Sequence, residues 1–188
     1  MSKQTQSRLF ATTILSLFVF SNYNSVIQAD KLSGELPVLS QTNFQEFRTS
    51  LSAIVNQSQT LTKSYQDEIG KWRTNQYDNS TTISITDSFV PKFENITNTA
   101  QNMTYPNDYK YVHDALVNSL KSETESYQHF RNYLASGNKT EDEISTDLLT
   151  NALQYEIIYS RFLSMPLPPS GQSVTISMQT YMADLNHL

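Results

Sequence analysis

Asp108–Ser136, DYKYVHDALVNSLKSETESYQHFRNYLAS, decides the fold. Alternating steps of four and three residues pick out Tyr109, His113, Leu116, Leu120, Glu123, Tyr127, Phe130 and Leu134, an unbroken stripe along one face of a helix. Lys110, Asp114, Lys121, Glu125 and Arg131 occupy the rest of its surface. An isolated amphipathic helix is marginal in water, and its stability comes from burying the apolar face against partners. The stretch therefore predicts a helical bundle.

The partners are found by working outward. Toward the N-terminus, Phe44, Phe47, Leu51, Ile54, Ser58, Leu61, Tyr65, Glu68 and Trp72 repeat at three and four, with Val55 and Ile69 widening the stripe, which predicts a helix over about 42–72. Residues 73–82, RTNQYDNSTT, read as a loop. Ile85, Phe89, Val90, Phe93, Ile96, Ala100 and Met103 return to helical spacing, but Pro91 interrupts them. Either the helix starts at Ser88 as N-cap, with Pro91 in a first turn that needs no N–H, or it starts near Thr81 and kinks. We take the first, a helix over about 88–104. A short strand over 82–85 is the minor alternative, from its β-branched composition.

Asn107 or Asp108 is placed to cap the helix of 108–136, and Gly137 to end it. Thr140 and Glu143 form a capping box for a last helix over about 141–164, with Ile144, Leu148, Ala152, Tyr155, Tyr159 and Phe162 along its stripe. The expected class is all-α, an antiparallel up-down-up-down four-helix bundle over 42–164. Residues 30–41, broken by Gly34 and Pro37, form an extended lead-in in which Ser40 or Thr42 could cap the first helix. Residues 165–188 form a Pro-rich break and a poorly ordered tail, in which Val174, Ile176 and Met178 alternate as in a short edge strand.

Residues 1–29 read as a signal peptide: Lys3 and Arg8 precede the apolar run Leu9–Phe20, and Ala29 offers a cleavage position. The run is shorter than the roughly 20 residues a membrane-spanning helix needs, so an uncleaved tether is the lesser alternative. Cleavage removes two of 13 basic residues and none of 18 acidic ones, leaving 11 against 18. So acidic a chain lacks the clustered cations of a nucleic-acid or anionic-lipid partner. With no cysteine it has neither disulfides, nor thiolate metal sites, nor a Cys nucleophile, and must rest on its core.

Four glycines leave little material for a phosphate loop or nucleophile elbow, and none is found. No catalytic residue, cofactor or metal motif is expected: His129 and His187 have no ligand-like neighbours, and no Glu-x-x-His spacing of a di-iron bundle occurs. The candidates are Glu123 and Glu156. Counted from a turn near Asn138, they differ in height by about one helical turn and could share a polar layer binding a cation or small ligand. Structural carboxylates bonded to tyrosine hydroxyls are the plainer reading. His113 joins them as a candidate, although ten residues from Glu123 it is expected to make one core hydrogen bond. Five Asn-x-Ser/Thr sequons, at Asn56, Asn79, Asn95, Asn102 and Asn138, are possible glycosylation sites of an exported chain. Asn79 and Asn138 fall in expected loops and Asn56 on the outer face of the first helix.

The signal peptide, Lys71-Trp72, the segment Ile85-Thr86-Asp87-Ser88-Phe89-Val90-Pro91, Tyr105-Pro106, Glu123 with Ser126-Tyr127, Phe130, Tyr133-Leu134 and Gly137-Asn138, and Tyr155-Glu156 together resemble uncharacterised exported helical proteins of ammonia-oxidising archaea. The resemblance covers most of 42–164 and implies an extracytoplasmic helical bundle without transferring an activity. The function expected is a non-catalytic binding or structural module outside the cytoplasmic membrane, secreted or at the cell surface, with a protein or small-molecule partner. The rivals are a ligand or cation site at Glu123 and Glu156, and a membrane-tethered sensor or accessory subunit.

Overall fold

The computed structural model describes residues 39–165. Within them the chain forms helices α1 (Leu39–Arg73), α2 (Asn79–Gln101), α3 (Lys110–Ser136) and α4 (Lys139–Ser164), with a 3-10 turn at Asn107–Tyr109, and no strand among the described residues. The all-α four-helix class is as expected. The expected signal peptide, most of the expected lead-in and the tail with its possible edge strand lie outside the described residues. Among those described, no helix is long and apolar enough to cross a membrane.

Several boundaries differ from expectation, each for a local reason. α1 begins at Leu39, so Ser40 and Thr42 lie within it rather than capping it. α2 begins at Asn79, nine residues ahead of Ser88, because Asp78 is the N-cap: its carboxylate accepts from the Thr81 N–H at 2.7 Å. Pro91 thus lies inside the helix. The 82–85 strand is excluded for the same reason. At α3, Tyr109 occupies the N-cap without a side-chain cap bond, so neither Asn107 nor Asp108 plays that part. The Tyr109 ring is buried instead, stacked on Phe47 with centroids 5.4 Å apart. Gly137 ends α3 as expected, in the left-handed region at φ 69°, with its N–H bonded to the Tyr133 carbonyl at 2.8 Å. α4 is capped by Asn138, whose side chain accepts from the Thr140 N–H at 3.1 Å, and Thr140 is already helical.

Threonine explains the early start of α2. Thr82 and Thr86 are fully buried, and their hydroxyls donate to the carbonyls four residues back, Asp78 at 2.8 Å and Thr82 at 2.9 Å. A hydroxyl satisfied within its own helix leaves a methyl to face the core. The Thr86 oxygen then accepts from the buried Tyr65 phenol at 2.9 Å, tying α2 to α1.

The core has two clusters. At the end holding the start of α1, Phe44, Phe47, Tyr109 and Phe162 interlock with centroids 5.4–5.5 Å apart, above Leu51, Ile54, Ile96, Leu116 and Leu120. At the other end Tyr65, Phe93 and Tyr127 meet at 4.5–6.1 Å, with Ile69, Trp72 and Leu134 beyond them. Each such side chain contributes about 1.5–3 kcal/mol on burial. Phe44 at the start of α1 meets Phe162 at the end of α4, so these two run antiparallel, while Trp72 at the end of α1 meets Phe130 toward the end of α3, so α1 and α3 run the same way, as an up-down-up-down bundle requires.

α3 and α4 meet along a seam of small residues. Ser119 donates to the Ala152 carbonyl at 2.8 Å and Ser126 to the Ser145 carbonyl at 2.7 Å, which small side chains permit by letting backbones approach closely. The buried side of α4 therefore runs through Ser145, Ala152, Ile158, Tyr159 and Phe162, whereas Ile144, Leu148 and Tyr155 of the expected stripe are only half-buried.

Candidate functional site

Between the two clusters the bundle has a polar waist. Ser58 and Thr62 come to it from α1, Glu123 and Tyr127 from α3, and Glu156 and Tyr159 from α4. Leu61, on the neighbouring turn of α1, touches both hydrophobic clusters and marks the boundary. Glu123 Oε1 accepts from the Thr62 hydroxyl at 2.6 Å and from the Tyr127 phenol at 2.7 Å, with buried Ser58 adding a third hydroxyl. The residue as a whole is half-buried, but its carboxyl sits deep among these donors. Burial pushes the Glu123 carboxyl above the usual carboxylate range, and the three hydroxyls pull the other way by favouring its ionised form.

Glu156 has the opposite environment. No donor among the described residues bonds to it, and its carboxyl is pushed up to about 7, first by burial and then by the charge of Glu123. Two neighbouring acids are thus differentiated by their surroundings. Glu123 holds the hydroxyl donors, and Glu156 holds the proton near neutral pH. Burial and the Glu156 charge also raise the Tyr159 phenol, and the neighbouring carboxylate of Glu123 likewise opposes ionisation of Tyr127 after burial has done most of the work.

The register differs from the simple count. Ser119 lies level with Ala152 and Ser126 with Ser145. Glu156, one turn beyond Ala152, is then level with Ala115, about two turns or roughly 12 Å of axial rise from Glu123 rather than one turn. Helical side chains lean toward their own N-termini, so in an antiparallel pair these two lean toward each other, and their charges interact across the seam.

His113 does not join the waist. Its ring is buried at the α2–α3 corner, where Nε2 donates to the Ala100 carbonyl at 2.9 Å, Nδ1 lies 3.2 Å from Asp114 Oδ1, and the face stacks on Tyr105 at 3.9 Å. It ties two helices together and is occupied on both nitrogens. His129 does have a carboxylate neighbour, contrary to expectation: Nδ1 is 2.7 Å from Glu141 Oε2 across the α3–α4 turn, and Asn132 donates to the same oxygen at 3.3 Å. The His129 bond holds Glu141 below the usual carboxylate range. Twelve residues separate the pair, so only the hairpin reveals it. Among the described residues no three His, Asp or Glu side chains converge as metal ligands. His187 and the methionines of the tail lie outside the described residues.

Sequence reasoning offered Tyr65, Tyr127 and Tyr159 as hydroxyl partners of the two acids, of which Tyr127 bonds Glu123 and Tyr159 lies beside Glu156, but it missed Thr62 as a waist member. Ser58 was the available signal, a small hydroxyl inside an otherwise apolar stripe. The five sequon asparagines are all exposed. Asn79 is the first residue of α2 and Asn138 the cap of α4, while Asn56, Asn95 and Asn102 lie on α1, on α2 and at the end of α2. No family model, curated protein or solved structure matches this chain.

Proposed function

We propose that the protein is an exported, non-catalytic module, released from its leader at Ala29, that presents the faces of its bundle to a protein or small-molecule partner outside the cytoplasmic membrane. The observation that carries this reading is where the core lies: among the described residues both hydrophobic clusters are built from side chains between Phe44 and Leu163, all of them C-terminal to Ala29. The acidic balance and the leader at the N-terminus support it, as does the resemblance to exported archaeal proteins. The test is fractionation of the producing cell with intact-mass measurement of the chain. A polypeptide beginning at Asp30, recovered outside the cytoplasm, is the expected result. A chain that keeps residues 1–29 in the membrane supports a tethered sensor or accessory subunit instead, and a cytoplasmic chain overturns the proposal.

A second reading rests on the waist: Glu156, which no donor among the described residues bonds, lies near enough to Glu123 to feel its charge and is a place where a small cation could replace a proton. Thermal unfolding at pH 8 with and without sodium, potassium or calcium separates the two. A cation-dependent rise in Tm that disappears in the double variant Glu123→Gln, Glu156→Gln supports a site. Equal responses in both proteins leave the waist a structural layer.

A further inference from the structure

The fold makes the five sequons unequal. At Asn79, Oδ1 accepts from the Trp72 indole at 2.9 Å and Nδ2 donates to the Leu134 carbonyl at 3.2 Å, so both ends of the amide are engaged between α1 and α3. At Asn102, Nδ2 donates to the Asn98 carbonyl at 2.9 Å, and at Asn138 Oδ1 serves as the α4 cap. Asn56 and Asn95 differ from these: both are exposed, and their side-chain amides bond to nothing among the described residues. They also share a location. Both line one groove of about 720 Å³ between α1 and α2, and Asn95 lines its continuation of about 960 Å³ as well.

The character of that groove fits a sugar. Leu61, Pro91 and Ile96 give it an apolar component, Gln57 supplies an amide, Lys92 a cationic donor, and the Thr60 and Ser64 hydroxyls, which donate to the Asn56 and Thr60 carbonyls, offer acceptor oxygens. A pyranose has the matching pair of surfaces, an apolar face of ring C–H groups and a rim of hydroxyls. We propose that Asn56 and Asn95 carry N-linked glycans whose first sugars lie in the α1–α2 groove, so that this side of the bundle is the sugar-covered side. In the modification, Nδ2 of asparagine attacks C1 of the sugar on a lipid-linked diphosphate donor. The N–C1 bond forms, the C1–O bond to phosphate breaks, the lipid diphosphate departs, and Nδ2 loses one proton, with no change in oxidation state. The proposal rests on the exported reading, because the donor and transferase act on translocated chains. A sugar on Nδ2 of Asn79 would have to fit beside the Trp72 indole and the Leu134 carbonyl that its amide bonds, so folded molecules are expected to carry none there.

The test is secretion of the full chain, with its own leader, from a eukaryotic cell line, followed by site-resolved glycopeptide mass spectrometry of the folded protein from the medium. Glycans are expected at Asn56 and Asn95 and none at Asn79. Hydrogen exchange is then compared with the variant Asn56→Gln, Asn95→Gln, and residues 56–64 and 91–96 are expected to exchange at least about twofold more slowly in the glycosylated protein. A secreted chain bare at Asn56 and Asn95, or occupied at Asn79, overturns the glycan assignment and leaves the export reading standing. Occupied sites with equal exchange overturn the placement in the groove. A chain retained in the cytosol overturns export, and the glycan proposal with it.

Discussion

Replacing Glu156 by Gln tests the electrostatics of the waist directly. The folded protein raises this carboxyl from 4.5 to about 7, so it favours the protonated form over what the unfolded chain would hold. The sign follows from that. The stabilising contribution of the protonated group is complete below about pH 4.5, declines above it, and is gone once the pH passes 7, where folding must instead bury a charge beside Glu123. A rise from 4.5 to about 7 corresponds to about 3.4 kcal/mol at most, and solvent access to a half-buried group reduces it to about 1.5–2 kcal/mol. Gln keeps the shape and removes the charge. Glu156→Gln should match the wild type near pH 4 and exceed it by about 1.5–2 kcal/mol at pH 8, or roughly 3–8 °C in Tm for a chain of this size. Paired thermal melts from pH 4 to pH 8 read the difference, which also cancels most of the parallel contribution from Glu123. A difference that stays flat across this range, or a variant less stable at pH 8, refutes the reasoning.

Two threonines provide an internal control. Thr86→Val removes the acceptor of the buried Tyr65 phenol and should cost about 1–3 kcal/mol in urea unfolding, whereas Thr82→Val removes only a bond within its own helix and should change stability by less than about 0.5 kcal/mol. Pro91→Ala restores an N–H within α2 opposite the Asp87 carbonyl and should stabilise by about 1–3 kcal/mol, read as a higher urea midpoint with unchanged m. Asn79→Ala breaks the bonds to Trp72 and Leu134 together and should lower stability by about 1–2 kcal/mol, with a change in near-ultraviolet dichroism as the indole loses its partner.

The parts of the fold that could be read in advance are those where hydrophobicity alone decides burial. Ten of the α1 stripe positions illustrate it: Phe44, Phe47, Leu51, Ile54, Val55, Ser58, Tyr65, Ile69 and Trp72 are buried and Leu61 is half-buried, in the spacing of a plain heptad-like pattern. The start of α2 was only half legible: the second reading, a start near Thr81, lies close to the observed Asn79, but the first reading begins the helix at Ser88 because Thr82 and Thr86 count as polar until their hydroxyls are seen bonded to their own helix. The face of α4 shifted for a related reason. Its closest contacts use Ser145 and Ala152, whose value lies in being small, a property that periodicity does not weigh. At the waist, Glu123 was legible from its place in the stripe, but the difference between Glu123 and Glu156 was not. That difference depends on Thr62, 61 residues away in the chain, supplying a hydroxyl to one acid and not the other.

The unequal spacing of the helices sets an order of assembly. α3 and α4 are joined by two residues, Gly137 and Asn138, and their serine-to-carbonyl bonds close over separations of 33 and 19 residues. α1 reaches α4 through Phe44, Phe47 and Arg48, across 115 residues in the case of the Arg48 bond to the Leu163 carbonyl. Loop closure favours short connections, and the α1–α2 turn is short as well, with Trp72 bonded to Asn79 seven residues on and Tyr65 to Thr86 twenty-one residues on. The chain is therefore expected to close first as two hairpins, the Thr62–Glu123 and Arg48–Leu163 bonds forming as they dock. An opening between the hairpins would then admit water to Glu123 before it reaches the serine seam inside the α3–α4 hairpin.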